Sequence, residues 1–188
     1  VTLPSSVKTI DGYGFYGCSE LQKIDFGNSL QTIGNYAFQD CDKLLEVTLP
    51  DSVSSIGNYC FQSCDQLTTV NIGKNLDDWG TQAFADNPKL VTIHFADGLK
   101  NIGKYIRNFS TSTNCYTSSF SSDKNYYGST FYNCTALENV IIPDSVTDEI
   151  DNYNWISKYG VGEACFSGCT ALREVKLPKK LKYILLHN

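Results

Sequence analysis

Hydrophobic positions return every 23 residues along this 188-residue chain. Three units align without a gap, at 1–23, 24–46 and 47–69, and a fourth, at 70–92, keeps the period with more drift. A fifth starts at Ile93, breaks off and resumes at 129–139. A sixth starts at Val140 and recovers at 164–174, and a seventh opens at Val175. One apolar column is Leu21, Leu44, Leu67, Leu90, Leu137 and Leu172. Three residues later come Ile24, Val47, Val70, Ile93, Val140 and Val175, and two further on Phe26, Leu49, Ile72, Phe95, Ile142 and Leu177. A spacing of two is that of same-side residues on a strand, so each unit is predicted to carry one. Pro50, Gly73, Pro143 and Pro178 suit the strand end. The next columns are Ile10, Ile33, Ile56, Trp79 and Ile102, then Gly34, Gly57, Gly80 and Gly103, which predict a backbone angle that other residues resist. An aromatic column (Phe15, Phe38, Phe61, Phe84, Phe131, Phe166) completes the unit.

About six apolar side chains cannot offset the ordering of a 23-residue backbone, so no unit folds alone. Burial between units and a shared hydrogen-bond ladder must supply the rest, which is the logic of a solenoid. The L-x-x-V-x-L run that begins at Leu44 is a leucine-rich repeat core. Its usual Asn or Cys position holds Ser52, and in other units Ser6, Ser29, Asn75, Gly98 and Ser145. The unit "LPDSVSSIGNYCFQSCDQL" (49–67) resembles instead the BspA-like (bacterial surface protein A) leucine-rich repeat class. The resemblance covers nearly the whole chain except two insertions. It implies an α/β-type repeat solenoid: a right-handed superhelix with a parallel concave β-sheet of about seven 23-residue repeats. The whole of 1–188 reads as one array, with insertions near 106–129 and 148–163. The chain holds no Met and opens inside the pattern at Val1, so it is expected to be part of a longer protein.

Composition narrows the function. A net charge of -5, from 15 Lys+Arg against 20 Asp+Glu, lacks the basic stripe that phosphate binding needs, so no nucleic-acid partner is expected. No apolar run approaches the ~18 residues of a membrane span. The pairs Cys60/Cys64 and Cys165/Cys169 suggest a metal site, a redox pair or a disulfide framework when read alone. Set in columns, Cys18, Cys41, Cys64, Cys134 and Cys169 occupy one position, which Asn87 takes in the fourth unit, and Cys60 and Cys165 stand where others have Ala. Buried structural thiols are the expectation. A column that accepts Asn implies a turn whose side chain reaches backbone groups. Cys115 fits no column. No zinc is expected, since zinc needs about four converging ligands and the two pairs lie several repeats apart.

Strand residues between the buried ones should point outward and form the candidate binding surface. One row is Asp25, Thr48, Asn71, His94, Ile141 and Lys176; the other is Lys23, Glu46, Thr69, Thr92, Asn139 and Glu174. His94 has no nucleophile or metal cluster in its row, and no Gly-rich phosphate loop is present, so neither catalysis nor a cofactor is expected. The first insertion adds Tyr116, Phe120, Tyr126 and Tyr127, amphipathic residues that binding surfaces favour. Tyr13, Tyr36 and Tyr59 form a further column, read as packing between repeats. The resemblance implies a secreted or surface-attached protein of host-associated organisms that adheres to host or neighbouring-cell proteins. A repeat stalk presenting another domain is the alternative.

Overall fold

The computed structural model describes residues 1–103, 129–146, 160–161 and 165–180. The described turns contribute two kinds of strand, one longer and one short. The longer strands are β3 (Glu46–Leu49), β5 (Thr69–Ile72), β7 (Thr92–Phe95), β9 (Asn139–Ile141) and β11 (Glu174–Lys176). The short ones are β1 (Thr9–Ile10), β2 (Thr32–Ile33), β4 (Ser55–Ile56), β6 (Asp78–Trp79), β8 (Asn101–Ile102) and β10 (Gly160–Val161). All pairing is parallel. The long strands pair as β3-β5-β7 and β9-β11, with a bridge between Thr2 and Asp25. The short ones pair as β1-β2-β4-β6 and β8-β10. Partners sit one 23-residue period apart where no insertion intervenes, as in Val47↔Val70↔Ile93.

The core is the set of apolar columns read edge-on. Leu44, Leu67, Leu90 and Leu137 are fully buried, as are Phe38, Phe61, Phe84 and Phe131. Six phenylalanine rings, from Phe15 to Phe166, stack face to face with centroids 4.9–5.6 Å apart. The Trp79 indole replaces Ile in its column, and its N–H donates to Asn101 Oδ1 at 2.7 Å in the next turn.

The α/β expectation is not met among the described residues, which contain no helix. The segment between short and long strands is a run of turns. Its hydrogen bonds restart every few residues, as in Cys18 N–H to Phe15 O and Leu21 N–H to Cys18 O. Two positions per turn also take left-handed backbone angles: Tyr13, Tyr36, Tyr59 and Gln82, then Gly17, Asp40, Ser63, Asp86, Asn133 and Gly168. A right-handed helix cannot pass through such residues. For the tyrosines this conformation is costly, and stacking at 4.9 Å (Tyr13 on Tyr36) and 5.1 Å (Tyr36 on Tyr59) offsets it.

The glycine column has a different cause from the expected one. Gly34, Gly57 and Gly80 do not have positive φ; in this column Gly103 does. They are glycine because the preceding turn presses on them. A Cβ at Gly57 would collide with Asn35 N and stand 2.5 Å from Gly34 C, and at Gly80 it would meet the Gly57 carbonyl. The next residue exploits this approach. Asn35 Oδ1 accepts the N–H of Asn58, and Asn58 Oδ1 accepts that of Thr81, each at 2.8 Å. At the edges of the expected insertions, Ser129 is buried in the stack and Gly160–Val161 pairs with Asn101–Ile102, so these residues belong to the turns.

Two glycine substitutions separate crowding from backbone angle. Gly57→Ala should cost about 1–3 kcal/mol by overpacking. Gly17→Ala, at φ +66 with open space around it, should cost about 1 kcal/mol. Denaturant titration that ranks Gly17→Ala as the worse change would refute the close-approach account.

Candidate binding face

Alternation along β3, β5 and β7 buries Val47, Leu49, Val70, Ile72 and Ile93 and turns the intervening residues outward. Register aligns Glu46↔Thr69↔Thr92 in one row and Thr48↔Asn71↔His94 in the other. On β9 and β11, Asn139 stands opposite Glu174 and Ile141 opposite Lys176. Asp25 pairs with Thr2, and Lys23 O accepts the Val1 ammonium at 3.0 Å. Lys23, Asp25, Glu46, Thr48, His94, Asn139, Ile141, Glu174 and Lys176 are exposed, and Thr69, Asn71 and Thr92 are half-buried. The structure therefore places ten of these residues in the outward rows of the long strands, with Lys23 and Asp25 in the same columns of the turn before β3. Tyr116, Phe120, Tyr126, Tyr127 and Cys115 lie outside the described residues.

One group on this face is tied together. Glu46 Oε1 accepts from Asn71 Nδ2 at 2.7 Å and from Thr48 Oγ1 at 3.2 Å, and Asn71 Nδ2 also reaches Thr48 Oγ1 at 2.9 Å. Apolar surface flanks the polar rows: Ile141 is 62% exposed, Leu45 51% and Val91 46%. The column reading missed Leu45 and Val91. Their signal was present, because they stand where other units have Gln22, Thr68, Glu138 and Arg173. Leu44 already fills the buried position, so Leu45 faces water.

The cysteines are a hydrogen-bond column. Cys41 Sγ donates to Phe15 O at 3.2 Å, Cys64 Sγ to Phe38 O at 3.3 Å, Cys134 Sγ to Phe84 O at 3.3 Å and Cys169 Sγ to Phe131 O at 3.2 Å. In each case the acceptor is the aromatic-column residue of the preceding turn. Asn87 Nδ2 makes the same bond to Phe61 O at 3.0 Å, and its Oδ1 accepts the Cys64 N–H at 2.8 Å. The seven cysteines among the described residues are free thiols. Cys18, in the first turn, is exposed, and the other six are buried. Among the described residues no three His, Cys, Asp or Glu side chains cluster as a metal site, and no helix is long and apolar enough to cross a membrane.

Burial pushes the Cys41 and Cys165 thiols from the ordinary 9.0 up to about 12, and raises Cys60 and Cys64 as well. The unfolded chain ionises these thiols near 9 while the folded chain holds their protons. Their contribution to stability is therefore whole below about pH 9 and lost as pH rises toward 12. Denaturation midpoints should fall across this range, and Cys165→Ala, which installs the residue found at Ala37 and Ala83, should flatten the fall. A profile that the substitution leaves unchanged would remove burial of this thiol as a cause.

Comparison with known proteins agrees with this architecture. A sequence model of the BspA type leucine rich repeat region matches in 6 copies, over residues 1–115, 43–159 and 129–187. No curated protein matches the chain. A leucine-rich repeat protein from Bacteroides ovatus is 22% identical with a TM-score of 0.67, over 96% of this chain and 37% of that one. The T. pallidum leucine rich repeat protein is also 22% identical, with a TM-score of 0.61, over 96% of this chain and 71% of that one. The pneumococcal vaccine antigen PcpA is 19% identical with a TM-score of 0.58, over 78% of this chain and 35% of that one. The chain thus spans about a third of the length of the first and third of these. With its matched repeats, parallel ladders and 23-residue register, the chain belongs to the BspA-type leucine-rich repeat family.

Proposed function

We propose that this chain is a non-enzymatic protein-binding module of a secreted or cell-surface protein, acting in adhesion to host or neighbouring-cell proteins. The observation that carries the reading is the exposed two-row grid on the long strands, with Leu45, Val91 and Ile141 as apolar flanks. Mixed polar rows beside exposed apolar side chains are the composition of a protein-contact surface. Membership of the BspA-type repeat family, with a fold shared with a pneumococcal vaccine antigen, supports a location outside the cell. In this reading the long strands line the concave side of a right-handed superhelix of about seven turns, and Tyr116, Phe120, Tyr126 and Tyr127 extend the contact surface. The unbroken phenylalanine stack from Phe15 to Phe166 favours a second role, a stiff stalk that presents another domain.

A binding screen of the whole chain against host extracellular-matrix and cell-surface proteins tests the two. A hit should weaken about tenfold or more when His94→Arg and Asn139→Arg are combined on the grid. Deletion of 106–127 should weaken it further if the insertion takes part. A panel without a hit, or a hit indifferent to both changes, leaves the stalk as the better account.

A further inference from the structure

The Glu46, Thr48 and Asn71 group has an outward chemistry that can be counted atom by atom. Thr48 spends its single hydroxyl hydrogen on Glu46 Oε1. Asn71 Nδ2 donates to both Glu46 Oε1 and Thr48 Oγ1. Among the described residues, neither Glu46 Oε2 nor Asn71 Oδ1 accepts a hydrogen bond. What the group offers to solvent is therefore two acceptors and one negative charge. The three residues come from adjacent strands in register, Thr48 opposite Asn71, so their side chains are ordered before any partner arrives. Ordering in advance lowers the entropic cost of binding.

We infer that Glu46 and Asn71 form a receptor for an arginine side chain of a protein partner; this rests on the long-strand face being the binding surface. A guanidinium matches the group because it carries five donors in a planar fork and no acceptor. It can give one N–H to the carboxylate and another to the amide oxygen, with its charge beside Glu46. An amide or hydroxyl could donate to the acceptors but would leave the negative charge unmatched. An ammonium would satisfy the charge but is a compact, strongly hydrated point without the planar fork of a guanidinium. Half-exposed Leu45, immediately before the same strand, adds apolar surface for the arginine's methylenes. Two charges stand in the neighbouring turn, Lys23 in the row of Glu46 and Asp25 in the row of Thr48. Among the described residues Lys23 makes no ion pair with Glu46, yet it is the internal cation nearest in the row and so a competitor.

The test is a selection of random peptides on the whole folded chain, followed by titration of the recovered peptides as synthetic material. Recovered sequences should converge on an arginine. Replacing that arginine with citrulline, a neutral analogue of the same shape, or with lysine should weaken binding about tenfold. Glu46→Gln, which keeps the acceptor at Oε1, and Asn71→Ala should each do the same with an unchanged thermal melt. Lys23→Ala, which removes the competing internal cation, should raise affinity. Peptides lost on the His94→Arg/Asn139→Arg double variant but indifferent to citrulline overturn the arginine receptor while leaving the face intact. Peptides indifferent to that double variant, or a selection that recovers none, overturn both.

Discussion

The structure depends on how closely one turn approaches the next. Parallel strands sit about 4.8 Å apart, and the turns keep that spacing away from the strands as well. Glycine at 34, 57 and 80 lets backbone press on backbone where any side chain would collide. Once that spacing is set, every residue stands one rung from the residue at its own position in the neighbouring unit. Only side chains that tolerate such a neighbour can recur. Phenylalanine and tyrosine do so by stacking, asparagine by handing its carbonyl to the next backbone N–H, and the thiols by donating one rung back. Like charges one rung apart repel, and at three places opposite charges meet instead: Glu20 meets Lys43 at 2.7 Å, and Asp51 meets Lys74 and Asp144 meets Lys179, each at 3.2 Å. These surface pairs add little energy, but they remove the repulsion that a uniform column would create.

The core was legible in the sequence because hydrophobic columns state burial directly. The leucine, isoleucine and phenylalanine columns face inward as their period implies except in the last described turn, where Val175 and Leu177 are exposed, and the two outward rows follow from strand alternation. The connecting segment was harder to read. A family label implies helices in that place, while the left-handed residues Tyr36, Asp40, Tyr59 and Ser63 forbid them. Nothing in the residue types announces this, since a tyrosine rarely adopts such angles without a stacked neighbour. The short-strand ladder was hidden for a related reason. Two-residue strands such as Ser55–Ile56 are too short to show an alternation, and they exist because the glycine after them lets the turns close.

The outward face was legible as a set of positions and illegible as a network. Which oxygens Asn71 donates to depends on a threonine and a glutamate one strand away, so the network arises only when the register is in hand. The same holds along the corner of the turns, where Gln39 donates to Gln62, Gln62 to Asp86, and Asn133 to the other oxygen of Asp86. Residues of three types form one chain of bonds there. A column search that looks for identity passes over them, because the shared property is reach and not residue type.

The asparagine at 87 carries a consequence for how such arrays age and adapt. It occupies the cysteine position, makes the same bond to the carbonyl one rung back, and adds an acceptor for the Cys64 N–H. The position asks for a short donor, and sulfur is one way to provide it. An array of these turns could therefore exchange its thiols for amides one at a time with the backbone unmoved. Its sensitivity to oxidants would then be set independently of its shape, and the number of cysteines in a relative would record the chemistry of its surroundings more than the needs of its fold.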